Sequence, residues 1–320
     1  MSASVQDAPV DRSQPVEPLK PRKSAMARRE ALTGLLWVQA WFLGFILFTA
    51  GPIVAAIYLS FTSWQGAGWP QWIGLDNFQE IFTADPLFWQ SMKVTGVFSL
   101  IYLPASLVVG FAMAMLMNQK LRGMTIFRTI YYLPSVLSGV AVAVLWSFVF
   151  HRDYGVLNWF VGLFGLDPIP WLQDSRWVIP ALVIMQLWGV GASVIIYLGG
   201  LQGIPTELYE VAKIDGASWW QTLFRVTLPM MSPVLFFQLV LGVIATLQIF
   251  TQAYVLTKGG PDYASYFYAL NIYDRAFVEL RLGYASALSV ILFIIILLIT
   301  GFIFRSSRAW VYYAGDRETR

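Results

Sequence analysis

The chain has 320 residues, of which 58% are hydrophobic and only 12% charged, with a formal net charge of +3 at pH 7. Soluble domains carry about 25% charged residues, so this balance excludes a water-solvated globule and points to a chain solvated largely by lipid. With no cysteine there is no disulfide or thiolate metal site, and one histidine, His151, cannot build a metal centre alone.

Met1 to Glu30 is polar and contains Pro9, Pro15, Pro18 and Pro21. It has too little apolar surface to offset the entropy of ordering, so residues 1–34 are expected to form a disordered cytoplasmic tail. The first apolar run is too long for a cleaved signal peptide and lacks a clear small-residue cleavage site. A membrane span needs about 20 mostly apolar residues. Six stretches reach that length, at about 35–60, 94–117, 130–150, 177–200, 232–256 and 283–304. The fold class is therefore all-α: a polytopic membrane protein with a six-span domain over 35–305 and a cytoplasmic C-terminal tail over 306–320.

Lys and Arg set the orientation. One side holds Arg12, Lys20, Arg22, Lys23, Arg28, Arg29, Lys120, Arg122, Arg128, Lys213, Arg225, Arg305, Arg308, Arg317 and Arg320. The other holds only Lys93, Arg152, Arg176, Lys258, Arg275 and Arg281. The richer side is the cytoplasm, which places both termini there, in a bacterial or archaeal cell membrane.

In the outer loops, Trp64, Trp69 and Trp72 cluster as interfacial aromatics do. Asp76 is a candidate N-cap for a short interfacial helix carrying Phe78, Ile81 and Phe82. Gly259-Gly260-Pro261 marks a turn. Pro52, Pro104, Pro134 and Pro180 lie inside spans, where proline tends to kink helices. The inner stretch Asn118–Arg128 reads as a topology determinant.

The inner loop over 203–229 is different in kind. Thr206 is a candidate cap for a helix with Glu207 and Glu210 in its first turns, where acidic groups favour the positive helix end. Leu208, Val211, Ala212 and Ile214 leave part of that helix apolar. Asp215 and Gly216 follow, and Gly216 permits a left-handed turn closed to bulky residues. A second short helix is expected over Ala217–Phe224, with Trp219 and Trp220 offered to a partner's cleft and Leu228-Pro229 ending it before the next span. A lipid-surface helix would carry Lys and Arg on its polar face; acidic residues facing a negative leaflet argue for a soluble docking partner.

Glu-x-Ala-x-x-x-Gly at 210–216, followed by Val226-Thr227-Leu228-Pro229, resembles the EAA loop of ABC-importer permeases. Gln248-Ile249-Phe250-Thr251-Gln252-Ala253-Tyr254 through Gly259-Gly260-Pro261 also fits, as do Leu282-Gly283-Tyr284-Ala285-Ser286-Ala287, Gly74-Leu75-Asp76-Asn77-Phe78, Phe127-Arg128-Thr129-Ile130 and Leu133-Pro134. Together these resemble the carbohydrate-uptake permeases of the MalF type, over about 35–305, in their shorter six-span form; Val211 stands where the family usually has alanine. The resemblance implies the type I importer fold, a second (MalG-type) permease, two ABC ATPase subunits and an extracytoplasmic sugar-binding protein. It assigns ATPase coupling to Glu207, Glu210, Ala212, Asp215, Gly216, Trp219, Trp220, Leu228 and Pro229. No Gly-rich Lys-Ser/Thr phosphate loop is present, so ATP and Mg belong to the partner subunits, and this chain is not an enzyme and takes no cofactor. A nucleic-acid partner is not expected.

A sugar path needs hydrogen-bonding groups and aromatic faces rather than fixed charge. The six spans as drawn contain no Asp, Glu, Lys or Arg. Carried over from the family, sugar contacts fall at Trp188, Gly191 and Ser193 in the fourth span and Thr246, Gln248, Ile249 and Gln252 in the fifth. The charge-free spans favour a neutral sugar over glycerol-phosphate. They disfavour an ion-coupled secondary transporter, which would need an intramembrane ionisable group. A membrane-bound transferase would need clustered Asp, Glu or His, and His151-Arg152-Asp153 has no acid/base partner in sequence.

Reporter fusions after Arg122 and Gly216 are expected to report cytoplasm, and fusions after Asp76 and Asp262 the outside. A cytoplasmic signal at Asp262 would overturn the six-span topology.

Overall fold

The computed structural model describes residues 25–119 and 121–312. Residues 1–24, Lys120 and 313–320, and with them most of both expected tails, lie outside the described residues. The chain divides at Val54/Ala55 into two units.

In the first unit, α1 runs Ala25–Phe45, a π-turn follows at Ile46–Ala50, and α2 (Gly51–Leu59) crosses into the second unit. Residues 25–34, expected to be disordered, are helical. Ala25-Met26-Ala27-Arg28-Arg29-Glu30-Ala31-Leu32 is a run of strong helix formers, and extending a helix already nucleated costs little. The π-turn precedes Pro52, whose ring would otherwise meet the carbonyl four residues back.

The second unit contains α3 (Asp76–Thr83), α4 (Pro86–Met117), α5 (Met124–Val136), α6 (Gly139–Val149), α7 (Val156–Leu163), α8 (Val178–Trp188) and α9 (Gly191–Gln202). It continues with α10 (Thr206–Ile214), α11 (Trp219–Thr222), a π-turn (Leu223–Thr227), α12 (Leu228–Leu247), α13 (Thr251–Leu256), α14 (Tyr268–Tyr273), a π-turn (Asp274–Val278) and α15 (Leu282–Ser307). Four runs are long and apolar enough to cross a membrane: Leu32–Leu59, Pro86–Met117, Trp219–Leu256 and Leu282–Ser307. Two bent pairs, α5 with α6 and α8 with α9, bring the count to six if each is one span.

The span expected at 130–150 is thus broken, bent by 102° between Val136 and Gly139. Pro134 weakens the end of α5, Leu137 turns extended, and the Ser138 hydroxyl accepts from the Ala141 amide to start α6 afresh. The α8–α9 bend is 50°, at Gly189–Val190. Pro104, by contrast, sits inside the unbroken 32-residue α4, and Pro180 falls in the first turn of α8, where its missing N–H costs nothing.

Helix α4 organises this unit, packing against α8, α9, α12 and α14. Its start is capped by Asp85, whose side chain accepts from the Leu87 amide at 2.9 Å, with Pro86 at the first helical position. Its end is capped by Arg128, which donates to the Met117 carbonyl at 2.6 and 3.2 Å. A cation at a helix C-terminus also meets the dipole favourably. Asp76 is not the cap of α3: it is the first helical residue, Leu75 holds the cap position, and no side chain caps there. Its neighbour Asn77 is buried instead and donates to the Ser60 and Thr62 carbonyls.

The loop between α13 and α15 folds back into the bundle, which hydropathy does not foretell. A cis Gly260–Pro261 bond and left-handed Lys258, Asp262 and Tyr263 turn the chain. Phe267, Tyr268 and Asn271 are then fully buried. The Tyr268 amide donates to Thr95 Oγ1, and its hydroxyl to the Leu288 carbonyl. Tyr266 donates to Asp274 at 3.0 Å; burial first, and the Asp274 charge second, push its phenol upward, so it remains a donor.

Arg275 ties this return to the start of α4. It pairs with Asp85 Oδ2 at 2.9 Å and with Glu279 at 2.8 Å, while Tyr284 donates to the same Asp85 oxygen at 2.7 Å. The Arg275 and Asp85 side chains are 13% and 5% exposed. Removing one member of such a pair strands the other, which costs about 3–5 kcal/mol. Arg275→Met is therefore expected to lower stability in detergent unfolding titrations by that amount. Arg281→Met, which breaks the half-exposed pair with Glu80, should cost about 1 kcal/mol.

Candidate functional site

The 203–229 loop folds from local signals. Pro205 (φ −56°, ψ 131°) occupies the cap position of α10 without a side-chain bond. Thr206 lies inside the helix rather than capping it, because proline fixes the entry conformation one residue earlier. Glu207 is in the first turn and Lys213 in the last, both suited to the helix dipole. Beyond Asp215, Gly216 takes φ +70°, the left-handed conformation expected of it. The Gly216 amide bonds the Lys213 carbonyl and the Ala217 amide the Ala212 carbonyl, closing the helix in a Schellman pattern.

Ser218 and Gln221 then form a reciprocal capping box that starts α11. The expected stop at Leu228-Pro229 does not occur. The chain widens into the π-turn at Leu223–Thr227 and runs straight into α12, with Pro229 in its first turn. The wide turn relieves the clash that the proline ring would make in a regular helix. Tyr209 and Thr227 meet through their hydroxyls at 3.3 Å and hold α10 against this junction.

Glu207, Glu210, Asp215, Gly216, Trp219 and Trp220 are all exposed, while Ala212, Leu228 and Pro229 are half-buried. Ile214, Trp219, Trp220 and Phe224 expose 84%, 58%, 62% and 61% of their surface. Trp219 packs edge-on to Trp220, which stacks on Phe224. Among the described residues the three acids make no ion pair. Between α10 and the π-turn lies a cleft of about 440 Å³, with Leu208, Val211, Asp215 and Arg225 on its walls. The loop thus presents an exposed aromatic ridge beside unpaired acids and a cleft.

Along the side of the bundle, a second, open cavity of about 260 Å³ lies between α4, α9 and α12, with Ala192, Ile196, Leu241 and Ala245 exposed along it. Its polar lining is Tyr102 and Ser106, Ser193 and Tyr197, and Gln238. Gln238 is 6% exposed and makes no hydrogen bond among the described residues. Tyr197 is fully buried and its hydroxyl has no partner. Buried polar groups are normally paired, so these hold unspent hydrogen-bonding capacity around an uncharged cavity.

Of the positions carried over as sugar contacts, Ser193 lines this cavity. Trp188 is half-buried beside Trp146, and Gln248 is exposed where α12 ends. Thr246 spends its hydroxyl on the Val243 carbonyl, Ile249 is buried in apolar core, and Gln252 donates to Gln186 at 3.2 Å. Gly191 is buried against α5: a Cβ there would stand 3.0 Å from Tyr132 Cα and closer still to the Tyr131 carbonyl. Tyr102, Ser106, Tyr197 and Gln238 were not singled out by sequence. Their signal is the spacing i, i+4 of small or polar residues on three helices, at 102/106, 193/197 and 238/242.

A bundle of apolar helices, an exposed polar loop and an uncharged open cavity are the features of a membrane transport subunit. Among the described residues no cluster of His, Asp or Glu could hold a metal. Residues 105–311 match the family described as "Binding-protein-dependent transport system inner membrane component", and the chain belongs to that family. It is 39% identical over 301 residues to the "Probable ABC transporter permease protein YesP" of Bacillus subtilis (strain 168), covering 93% of this chain and 97% of that one. It is 32% identical to the lactose transport system permease protein LacF of Rhizobium radiobacter, over 89% and 97% of the two chains. A chain from the crystal structure of a bacterial ABC transporter involved in the import of the acidic polysaccharide alginate matches with TM-score 0.77 and 26% identity, over 88% and 96% of the two chains.

Gly191→Ala is expected to force α5 and α9 apart and to lower the melting temperature, whereas Gly199→Ala, with nothing within 4 Å of an added Cβ, should leave it unchanged. Equal melting temperatures would show that the close approach does not set the helix positions.

Proposed function

We propose that this chain is the permease subunit of an importer for a sugar or oligosaccharide, with both termini cytoplasmic. It forms the path with a second permease, receives sugar from an extracytoplasmic binding protein, and is driven by two separate ATPase subunits that bind ATP and Mg and dock on the 203–229 loop. The observation that carries this reading is the pairing of the exposed loop with an uncharged cavity lined by Tyr102, Ser193, Tyr197 and Gln238, where the Tyr197 hydroxyl has no partner. Such groups suit sugar hydroxyls, which neutral and acidic sugars share. Relatives of both kinds support it: one permease is named for trehalose and maltose, at 31% identity, and another for sulfoquinovosyl glycerol, also at 31%. Trp188, Ser193 and Gln248 extend the path from the cavity, and Gly191, Thr246, Ile249 and Gln252 hold its walls.

The test uses the assembled transporter in lipid vesicles with sugar-loaded binding protein. Tyr197→Phe deletes a hydroxyl that supports nothing in the resting fold, so its melting temperature should not fall. Losing one hydrogen bond to sugar, about 0.5–1.5 kcal/mol, should lower uptake by about 2- to 10-fold. Gly216→Val places a branched residue at φ +70°, a strain of at least about 1–2 kcal/mol. It should insert normally yet lose ATPase co-purification and sugar-stimulated hydrolysis. Unchanged uptake in Tyr197→Phe would remove the cavity from the path; unchanged hydrolysis in Gly216→Val would remove the loop from coupling.

A further inference from the structure

Helix α7 and the turn after it carry a surface that neither the cavity nor the 203–229 loop explains. Over 156–166 the chain reads Val-Leu-Asn-Trp-Phe-Val-Gly-Leu-Phe-Gly-Leu. Trp159, Phe160, Leu163, Phe164 and Leu166 are 62%, 51%, 62%, 80% and 63% exposed. The opposite face is fixed to the protein. Leu157 and Val161 pack on the core around Trp146 and Trp171. Asn158, the segment's single polar side chain, is buried and spends both ends of its amide: it donates to the Arg152 and Ile169 carbonyls and accepts from the Ile169 amide and the Trp171 indole. The exposed apolar face is therefore held rigidly outward.

We propose that this face is seated in the headgroup–acyl boundary of the bilayer, in the outer leaflet under the topology proposed above, on which that assignment of side rests. Three observations favour lipid over a protein partner. The face continues the exposed apolar stripe of α6, formed by Val140, Val144, Leu145 and Phe148. It is bounded at both ends by polar, exposed residues, Arg152-Asp153 before and Asp167 after, as an interfacial segment is. Finally, its exposed area comes from large side chains, with only Gly162 and Gly165 between them, whereas helix partners inside membranes meet on small residues. Such a face, with Ala192 and Ala245 exposed, lies on α9 and α12 instead. A binding protein that docks and leaves would expose this face to water in every cycle, which its size and apolarity disfavour.

The arrangement also answers a problem of length. Helix α6 has 11 residues, which reach about 16 Å, against about 30 Å of hydrocarbon. A lateral anchor directly after it seats the end of a helix too short to span.

The chain has no cysteine, so single sites in it can be labelled before assembly with its partners. Phe160→Cys, Leu163→Cys, Asp153→Cys and Asp167→Cys variants, spin-labelled in the assembled transporter in phosphatidylethanolamine–phosphatidylglycerol vesicles, would be compared for collision with oxygen and with a polar nickel chelate. Sugar-stimulated hydrolysis serves as the folding check. Labels at 160 and 163 should favour oxygen severalfold over those at 153 and 167. Preference for nickel at 160 and 163 would place the face in water and overturn the proposal. Shielding from both reagents would place it against protein and overturn it equally. Neither result bears on sugar transport, which the Tyr197→Phe and Gly216→Val variants decide.

Discussion

A bilayer offers no hydrogen-bond partner to a peptide group, so a chain crossing it must satisfy its backbone internally. Most of the architecture follows from where that rule is kept and where it is broken. The 32 residues of α4 keep it throughout, and α8, α9, α12 and α14 assemble on that unbroken helix. The expected spans are interrupted at three places. At 137–138 a serine hydroxyl restarts the helix, and at 189–190 the new helix begins against the backbone of α5. At 248–250 the short α13 resumes, packed on α6. The breaks at 137–138 and 248–250 lie beside each other, with Gly139 against Thr251, while Gly191 lies against Tyr131 and Tyr132 in α5.

The same economy governs charge. The pair between Asp85 and Arg275 is the most buried in the described residues, and it sits where α4 starts, not mid-span. Asp85 answers three needs there, capping α4, pairing with Arg275 and accepting from Tyr284. Satisfied so fully, the pair works as a register pin for the loop that returns through Phe267 and Tyr268.

How far the sequence announces all this depends on the range of the force involved. Hydropathy finds the apolar runs, because burial in lipid is a local property of a segment. It misplaces their ends, as at Ala25 and Trp219, because helix propagation through good formers continues past the apolar part. The turn at Gly216 and the cap at Ser218 are legible because they involve neighbours within five residues. Thr206 and Asp76 show the limit of that reasoning: Pro205 fixes the entry before Thr206, and Asp76 is already the first helical residue of α3. The bend at Val136–Gly139 had its signals in Pro134 and Ser138, but nothing local fixes its angle. The cavity between α4, α9 and α12 was least legible. Tyr102, Tyr197 and Gln238 become a site only when three helices from distant parts of the chain close together.

That closure also explains the order of elements along the chain. Ser193 and Tyr197 lie on α9 and Gln238 on α12, and the 203–229 loop is the direct connection between those two helices. From Leu228 to Gln238 is about 15 Å of continuous helix, entered through a π-turn whose Leu223 and Thr227 are buried. The α9 side is shorter still, joined to α10 through the buried Ile204 and the fixed Pro205. Both ends of the loop are thus anchored in the walls of the cavity, with no flexible linker between. In the proposed coupling role, a displacement applied at α10 and α11 reaches the cavity by rigid-body movement of α9 and α12, because helices transmit displacement where coil would absorb it. A chain that placed its docking loop between any other pair of spans would lack that direct connection.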